Sequence, residues 1–123
     1  MCNERRWKGL WVDRGLDDSW LERMNNIRSV KIESSYAGHR NRLPYVTYRG
    51  PGNANDVALA LAHLGNYARV VPLGDRRGTF VQLVKPPAGG GFVWMTKKGW
   101  WNKVIKWLEE WYGKAHTNHG KVR

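Results

Sequence analysis

The sequence predicts an α+β fold: a single domain with a mainly antiparallel sheet packed by two or three helices on one side. Three observations carry this. Segments 28–36, 43–50, 67–73 and 79–86 alternate Val, Ile, Leu or Tyr with polar residues, at strand period. Segments 17–27, 54–64 and 98–114 place their apolar residues at helical spacing. The last two strands are joined by the short turn "GDRRG", a hairpin signal rather than a crossover. The 123 residues suit one domain, and a 41% hydrophobic content suits a packed core.

Taken in order, the opening "MCNERRWKGLWVDRG" mixes Arg5, Arg6 and Lys8 with Trp7 and Trp11, and predicts one short strand at "GLWV". Residues 1–6 are expected to be flexible, as are 114–123, a polar and basic tail. The helix at 17–27 has good N-caps in Asp17, Asp18 and Ser19, and Ser19 with Glu22 fits a capping box. Trp20, Leu21, Met24 and Ile27 are its core-facing residues. Strands at 28–36 and 43–50 follow, the second with Pro44 at its start, where no ladder donor is needed. The Ala- and Leu-rich helix at 54–64 has Asn53 or Asn55 as cap and Gly65 as its stop. After the hairpin strands, "PPAGGG" breaks the chain and "FVWMT" predicts one more short strand. The final helix carries two adjacent apolar stripes. One is Trp101, Ile105, Leu108 and Tyr112, and the other is Trp100, Val104, Trp107 and Trp111.

Charge narrows the function. The net charge is +11, an excess that repels itself in the folded state and calls for an anionic partner. Residues 1–60 carry 10 basic and 7 acidic side chains, while residues 61–123 carry 11 and 3. The second half is therefore the expected contact surface. It is joined by the stretch "SSYAGHRNRLPYVTYRGPGNAN" at 34–55, which holds no acid. One cysteine, Cys2, allows neither an internal disulfide nor a cysteine-based zinc site. The first residues lack a long apolar run and no stretch reaches membrane-spanning length, so a cytoplasmic protein is expected.

Several motifs could carry chemistry. "RGPGNAND" follows a strand and opens a helix, so Gly50, Gly52 and Asn53 form either an anion-binding turn or an ordinary cap. It lacks the third glycine and the βαβ unit of a dinucleotide site. Arg76 and Arg77 sit at the hairpin tip, suited to phosphates or simply to water. "KKGWWNKVIKW" interleaves cations with indoles. Its spacing assigns Trp101 and Ile105 to the core and leaves Trp100, Trp107 and Trp111 for a homodimer or a protein partner. His116 and His119 have metal-like spacing but lie in the tail, so no metal is expected. His39 follows Ser34 and Ser35, a conceivable serine–histidine pair whose only nearby acid is Glu33.

"IESSYAGHRNRLPYVTYRG" resembles the T-x-S-S-C-S-G-[RH] segment of the wybutosine-synthesis methyltransferase family, which modifies tRNA. The likeness covers about 20 residues, with Tyr36 at the family's cysteine and Ala37 at its next serine. It implies an RNA-facing fold and, as an alternative, an enzyme using S-adenosylmethionine with Ser34, Ser35 and His39 lining its site. "YVTYRGPGNANDVALALAHL" is similar to the strand–Arg-Gly–helix segment of Alba-type nucleic-acid-binding proteins, with 67–86 in the place of their basic hairpin. That likeness implies binding of DNA or RNA as a dimer. The leading expectation is a small, non-catalytic RNA-binding protein of the kind found in ribonucleoprotein particles, with no cofactor. Tyr36, His39, Arg40, Arg42, Tyr45, Tyr48, Arg49, Arg76, Arg77, Lys97 and Lys98 would contact the nucleic acid. A tRNA-modifying enzyme and a protein-interaction module built on the C-terminal helix are the alternatives.

Overall fold

The computed structural model describes residues 4–38, 42–50, 55–74 and 80–113. It opens with a hairpin, β1 (Glu4–Trp7) paired to β2 (Leu10–Asp13). Lys8 and Gly9 form the two-residue turn, both with positive φ, at 48° and 82°. This is the primed turn whose twist matches paired strands. Lysine in place of the usual asparagine hides the signal in the sequence, and residues 4–6, expected to be loose, are strand-paired.

Helix α1 (Asp18–Asn25) follows. Its cap is Asp17, whose carboxylate accepts the Ser19 backbone N–H at 2.8 Å and the Ser19 hydroxyl at 2.7 Å. Both bonds hold the Asp17 carboxyl below its ordinary pKa. Ser19 is thus a donor rather than the cap, and Glu22 pairs with Lys8 of the hairpin turn instead of closing a capping box. Arg5 reaches the Leu16 carbonyl at 2.8 Å and the Asp18 carboxylate, so the hairpin is fastened to α1 at two points.

The main sheet contains β3 (Lys31–Tyr36), β4 (Tyr45–Arg49), β5 (Arg69–Pro72) and β6 (Phe80–Val84), in the order β3-β4-β6-β5 with every neighbour antiparallel. Helix α2 (Asn55–Leu64) carries the chain from β4 past β6 to β5, and ends one residue before Gly65. A bulge at Glu33 shifts the β3–β4 register. "FVWMT" is not a strand. Phe92 makes an isolated bridge to Gly89 across a turn in which Gly89, Gly90 and Gly91 all take positive φ, and Val93 donates to the Asn66 carbonyl at 2.7 Å.

Helix α3 (Lys97–Leu108) is capped by Thr96, whose hydroxyl accepts the Gly99 N–H at 3.0 Å, and runs into a π-helical turn at Glu109–Gly113. Both of its apolar stripes are buried. Trp100, Trp101, Val104, Ile105 and Leu108 are fully covered, while Trp107 and Tyr112 are nearly so. The reason is position. One side meets the sheet core around Val46, Tyr48, Val81 and Leu83, and the other meets α1, where Trp20 stacks on Trp101 at 5.6 Å. Trp20 also donates to Asn102 at 3.1 Å, and Arg23 grips Glu109 with two bonds of 3.0 and 2.7 Å. That pair raises the pKa of Arg23. The expected partner surface on Trp100 and Trp107 is therefore corrected: both rings are core. Trp111 alone of that trio is exposed, and it leans on His63 at 4.4 Å. The indole N–H groups of Trp100, Trp101 and Trp107 meet no acceptor among the described residues, so these rings stabilise the core through apolar area and ring–ring contacts rather than hydrogen bonds. Among the described residues, no helix is long and apolar enough to cross a membrane.

Candidate nucleic-acid interface

Register assigns each strand residue to a face, since directly paired residues share a side. The inner rows are Ser35–Val46–Leu83–Val70 and Ile32–Tyr48–Val81–Pro72. Apart from the exposed Pro72, their apolar members join a cluster that also takes buried residues from all three helices. The outer rows are Tyr36–Tyr45–Val84–Arg69 and Ser34–Thr47–Gln82–Val71, with Lys31 opposite Arg49 at one end. The outer face thus mixes polar and aromatic residues with Val84 and Val71, and its Thr47 is only 4% exposed, while the helices contribute their buried residues to the other side.

Tyr36 and Tyr45 lie side by side on that outer face, with ring centroids 5.6 Å apart and planes tilted by 34°. Both are half-buried. Arg42 is exposed just before β4, and Arg69 is exposed at the other end of the tyrosine row. Arg49 is held by Glu33 at 3.1 Å, and the same carboxylate lies 3.7 Å from Lys31. Glu33, the acid expected near the serine–histidine stretch, is thereby engaged by these two cations, and Asp13 is a second acid there, accepting the Ala37 N–H at 2.8 Å. Ser34 faces outward and is exposed, whereas Ser35 lies in an inner row.

Tyr48 is not a stacking residue. It is fully buried in an inner row, and its hydroxyl lies 3.1 Å from that of Tyr112. Alternation explains the correction: Tyr45, Thr47 and Arg49 share one face of β4, and Val46 and Tyr48 share the other. Lys97 donates to the Gly38 carbonyl at 2.9 Å, and Lys98 is exposed in the same helical turn. Gly50 is half-buried at the end of β4. His39, Arg40, Gly52, Asn53, Arg76, Arg77, His116 and His119 lie outside the described residues. Among the described residues, no group of three or more His, Cys, Asp or Glu could hold a metal ion.

Three features escape the sequence reading. The first is a groove of about 1030 Å³ between the hairpin and β3. It is walled by the whole of β2 and the whole of β3, and α1 contributes Leu21 and Met24 to its lining. The second is the hairpin's pair of indoles. The Arg6 guanidinium lies 5.0 Å over Trp11, which is 62% exposed, and the Lys8 ammonium lies 5.0 Å over Trp7. The third is Lys85, which continues the inner stripe of Val81 and Leu83 and is only 8% exposed. Among the described residues its ammonium meets the Pro86 carbonyl, at 3.4 Å. Burial, and then the nearby charge of Lys97, push its pKa down. Alternating aromatic and basic residues in "RRWKGLW" signal the second feature; the groove and Lys85 depend on contacts between distant segments.

The groove reaches Ser34, Tyr36, Arg42 and Tyr45, so it is continuous with the outer face of the sheet. Comparison of the chain with protein-family models, with curated proteins and with solved structures finds no match.

Proposed function

We propose that this chain is a non-catalytic nucleic-acid-binding protein whose natural ligand is RNA, held on the outer face of the four-stranded sheet. The observation that carries this reading is the half-buried Tyr36–Tyr45 pair on the outer face of the sheet, with Arg42 just before β4 and Arg69 at the far end of the same row. Aromatic faces on a sheet are sequence-tolerant platforms for unpaired bases, and flanking cations take the phosphates. The net charge of +11 adds long-range attraction. Arg49 and Lys31 belong to the same face, partly neutralised by Glu33.

The test is titration with a labelled single-stranded RNA at about 50 and about 200 mM salt. With roughly three phosphates contacted, log K should fall against log salt with a slope of about −2. Binding without a salt slope, or none at all, rejects the reading.

A second reading, a tRNA-modifying enzyme, is favoured by one observation: Ser34, Ser35 and Tyr36 line a groove of ligand size. It requires S-adenosylmethionine to raise the melting temperature. An unchanged melting temperature with S-adenosylmethionine, alongside RNA binding, leaves the first reading alone.

A further inference from the structure

We infer that the groove between the hairpin and β3 is the second half of the nucleic-acid site, and that the bound strand is single, passing from the tyrosine pair around the edge of β3 to the indoles of Trp7 and Trp11. This inference rests on the nucleic-acid reading above and specifies the class of ligand. Continuity is the first support. Tyr36, Tyr45 and Arg42 line the groove and also border or belong to the outer face, so one chain can touch both without leaving the surface.

Chemistry is the second support. Trp7 and Trp11 both line the groove; Trp11 is exposed with Arg6 over its ring, whereas Trp7 is half-buried against the core and the Lys8 over it is paired with Glu22. An exposed indole beside a cation offers a base a stacking face and its phosphate a counter-charge in one place. Arg28, Lys31 and Arg42 also line the groove. Of the three acids there, Glu33 is engaged by Arg49 and Lys31, Asp13 accepts the Ala37 N–H at 2.8 Å, and Glu4 is exposed. The lining itself is charge-balanced, so the counter-charge for a phosphate at this end falls to Arg6 beside Trp11.

Rigidity is the third support. The hairpin wall is fastened to α1 through Arg5 and Lys8, so the indoles are presented in place. The six residues of β3 span roughly 20 Å, room for about three or four nucleotides. Bases committed to a partner strand cannot offer their faces to both platforms, so a duplex is excluded from the full path.

The experiment compares wild type, Trp11→Ala and Tyr45→Ala, using fluorescence anisotropy with oligouridylates of about two to about ten nucleotides. Trp11 is largely exposed, so its loss should leave the melting temperature unchanged. Wild-type affinity should rise with length until the path is filled. Trp11→Ala should bind the longest oligomer roughly tenfold or more weakly, yet bind the shortest as wild type does. Tyr45→Ala should weaken all lengths. If Trp11→Ala matches wild type at every length while Tyr45→Ala is weakened, the inference fails and the sheet-face reading stands. If wild type binds no oligomer, both fall. Equal affinity for a stem-loop of the same length, or equal competition by polyglutamate, also overturns the inference, because pairing state or base stacking then plays no part.

Discussion

Replacing Lys85 by methionine should make the protein more stable at neutral pH. Lys85 occupies an inner-row position after Val81 and Leu83, where the pattern calls for an apolar residue, and only 8% of it is exposed. Among the described residues its ammonium keeps one long bond, 3.4 Å to the Pro86 carbonyl, and Lys97 adds repulsion. A buried charge so poorly compensated opposes folding, and removing it while keeping an unbranched side chain should contribute about 1 kcal/mol. In a chain of this size that corresponds to a rise of about 4 °C in Tm.

The pH dependence has a definite sign. The folded-state pKa of Lys85 is lowered, so between that value and the unfolded value of about 10.4 the unfolded chain binds more protons. Wild-type stability from this group therefore rises with pH across that window. Below the folded pKa both states are charged and the full penalty remains. The gap between Lys85→Met and wild type should be widest at neutral pH and close as pH approaches about 10. Urea unfolding of both proteins across that range measures it, with equal m-values as the check on two-state comparison. A variant less stable than wild type at neutral pH, or a gap that ignores pH, would refute the reasoning.

Gly38→Ala should lose about 2 kcal/mol or more by the same assay. Gly38 has φ of 88°, and an added Cβ would stand 2.8 Å from the Pro44 ring and 3.0 Å from its nitrogen. Trp101→Ala should cost about 3–5 kcal/mol, since it empties the site between the sheet and α1 and unstacks Trp20; thermal unfolding reads it. Arg42→Ala should weaken RNA binding across all sequences and make the salt slope shallower by about 0.7, measured by the same two-salt titration.

Tyr45 and Tyr48 show how far the sequence could be read. Period two already separates them onto opposite faces of β4. Which face meets water depends on where the helices pack, and that is a long-range choice. The acid-free stretch suggests an anion-facing surface, and the structure brings its Tyr36, Arg42 and Tyr45 to the lining of one groove. Its apparent freedom from acids was not the whole account, because Glu33, one residue upstream, bulges out of register and reaches Arg49. The hairpin was half legible. "GLWV" read as a strand, while its partner β1 was hidden by a turn that uses Lys8 where asparagine is usual. Trp100 and Trp107 looked surplus because a single sheet face needs one stripe; α3 also packs against α1, and so buries two.

Local patterning decided the order of helices and strands, the α+β class, the breadth of the apolar band on α3 and the net charge. Each of these follows from residues a few positions apart, whose spacing alone determines which side chains share a face. Tertiary structure decided which faces are covered, the commitment of Glu33, the burial of Lys85 beside Lys97, and the groove between the hairpin and β3. These arise where segments far apart in the chain meet. Burial and electrostatics depend on every neighbour within a few ångströms, and spacing along one segment says nothing about neighbours supplied by another.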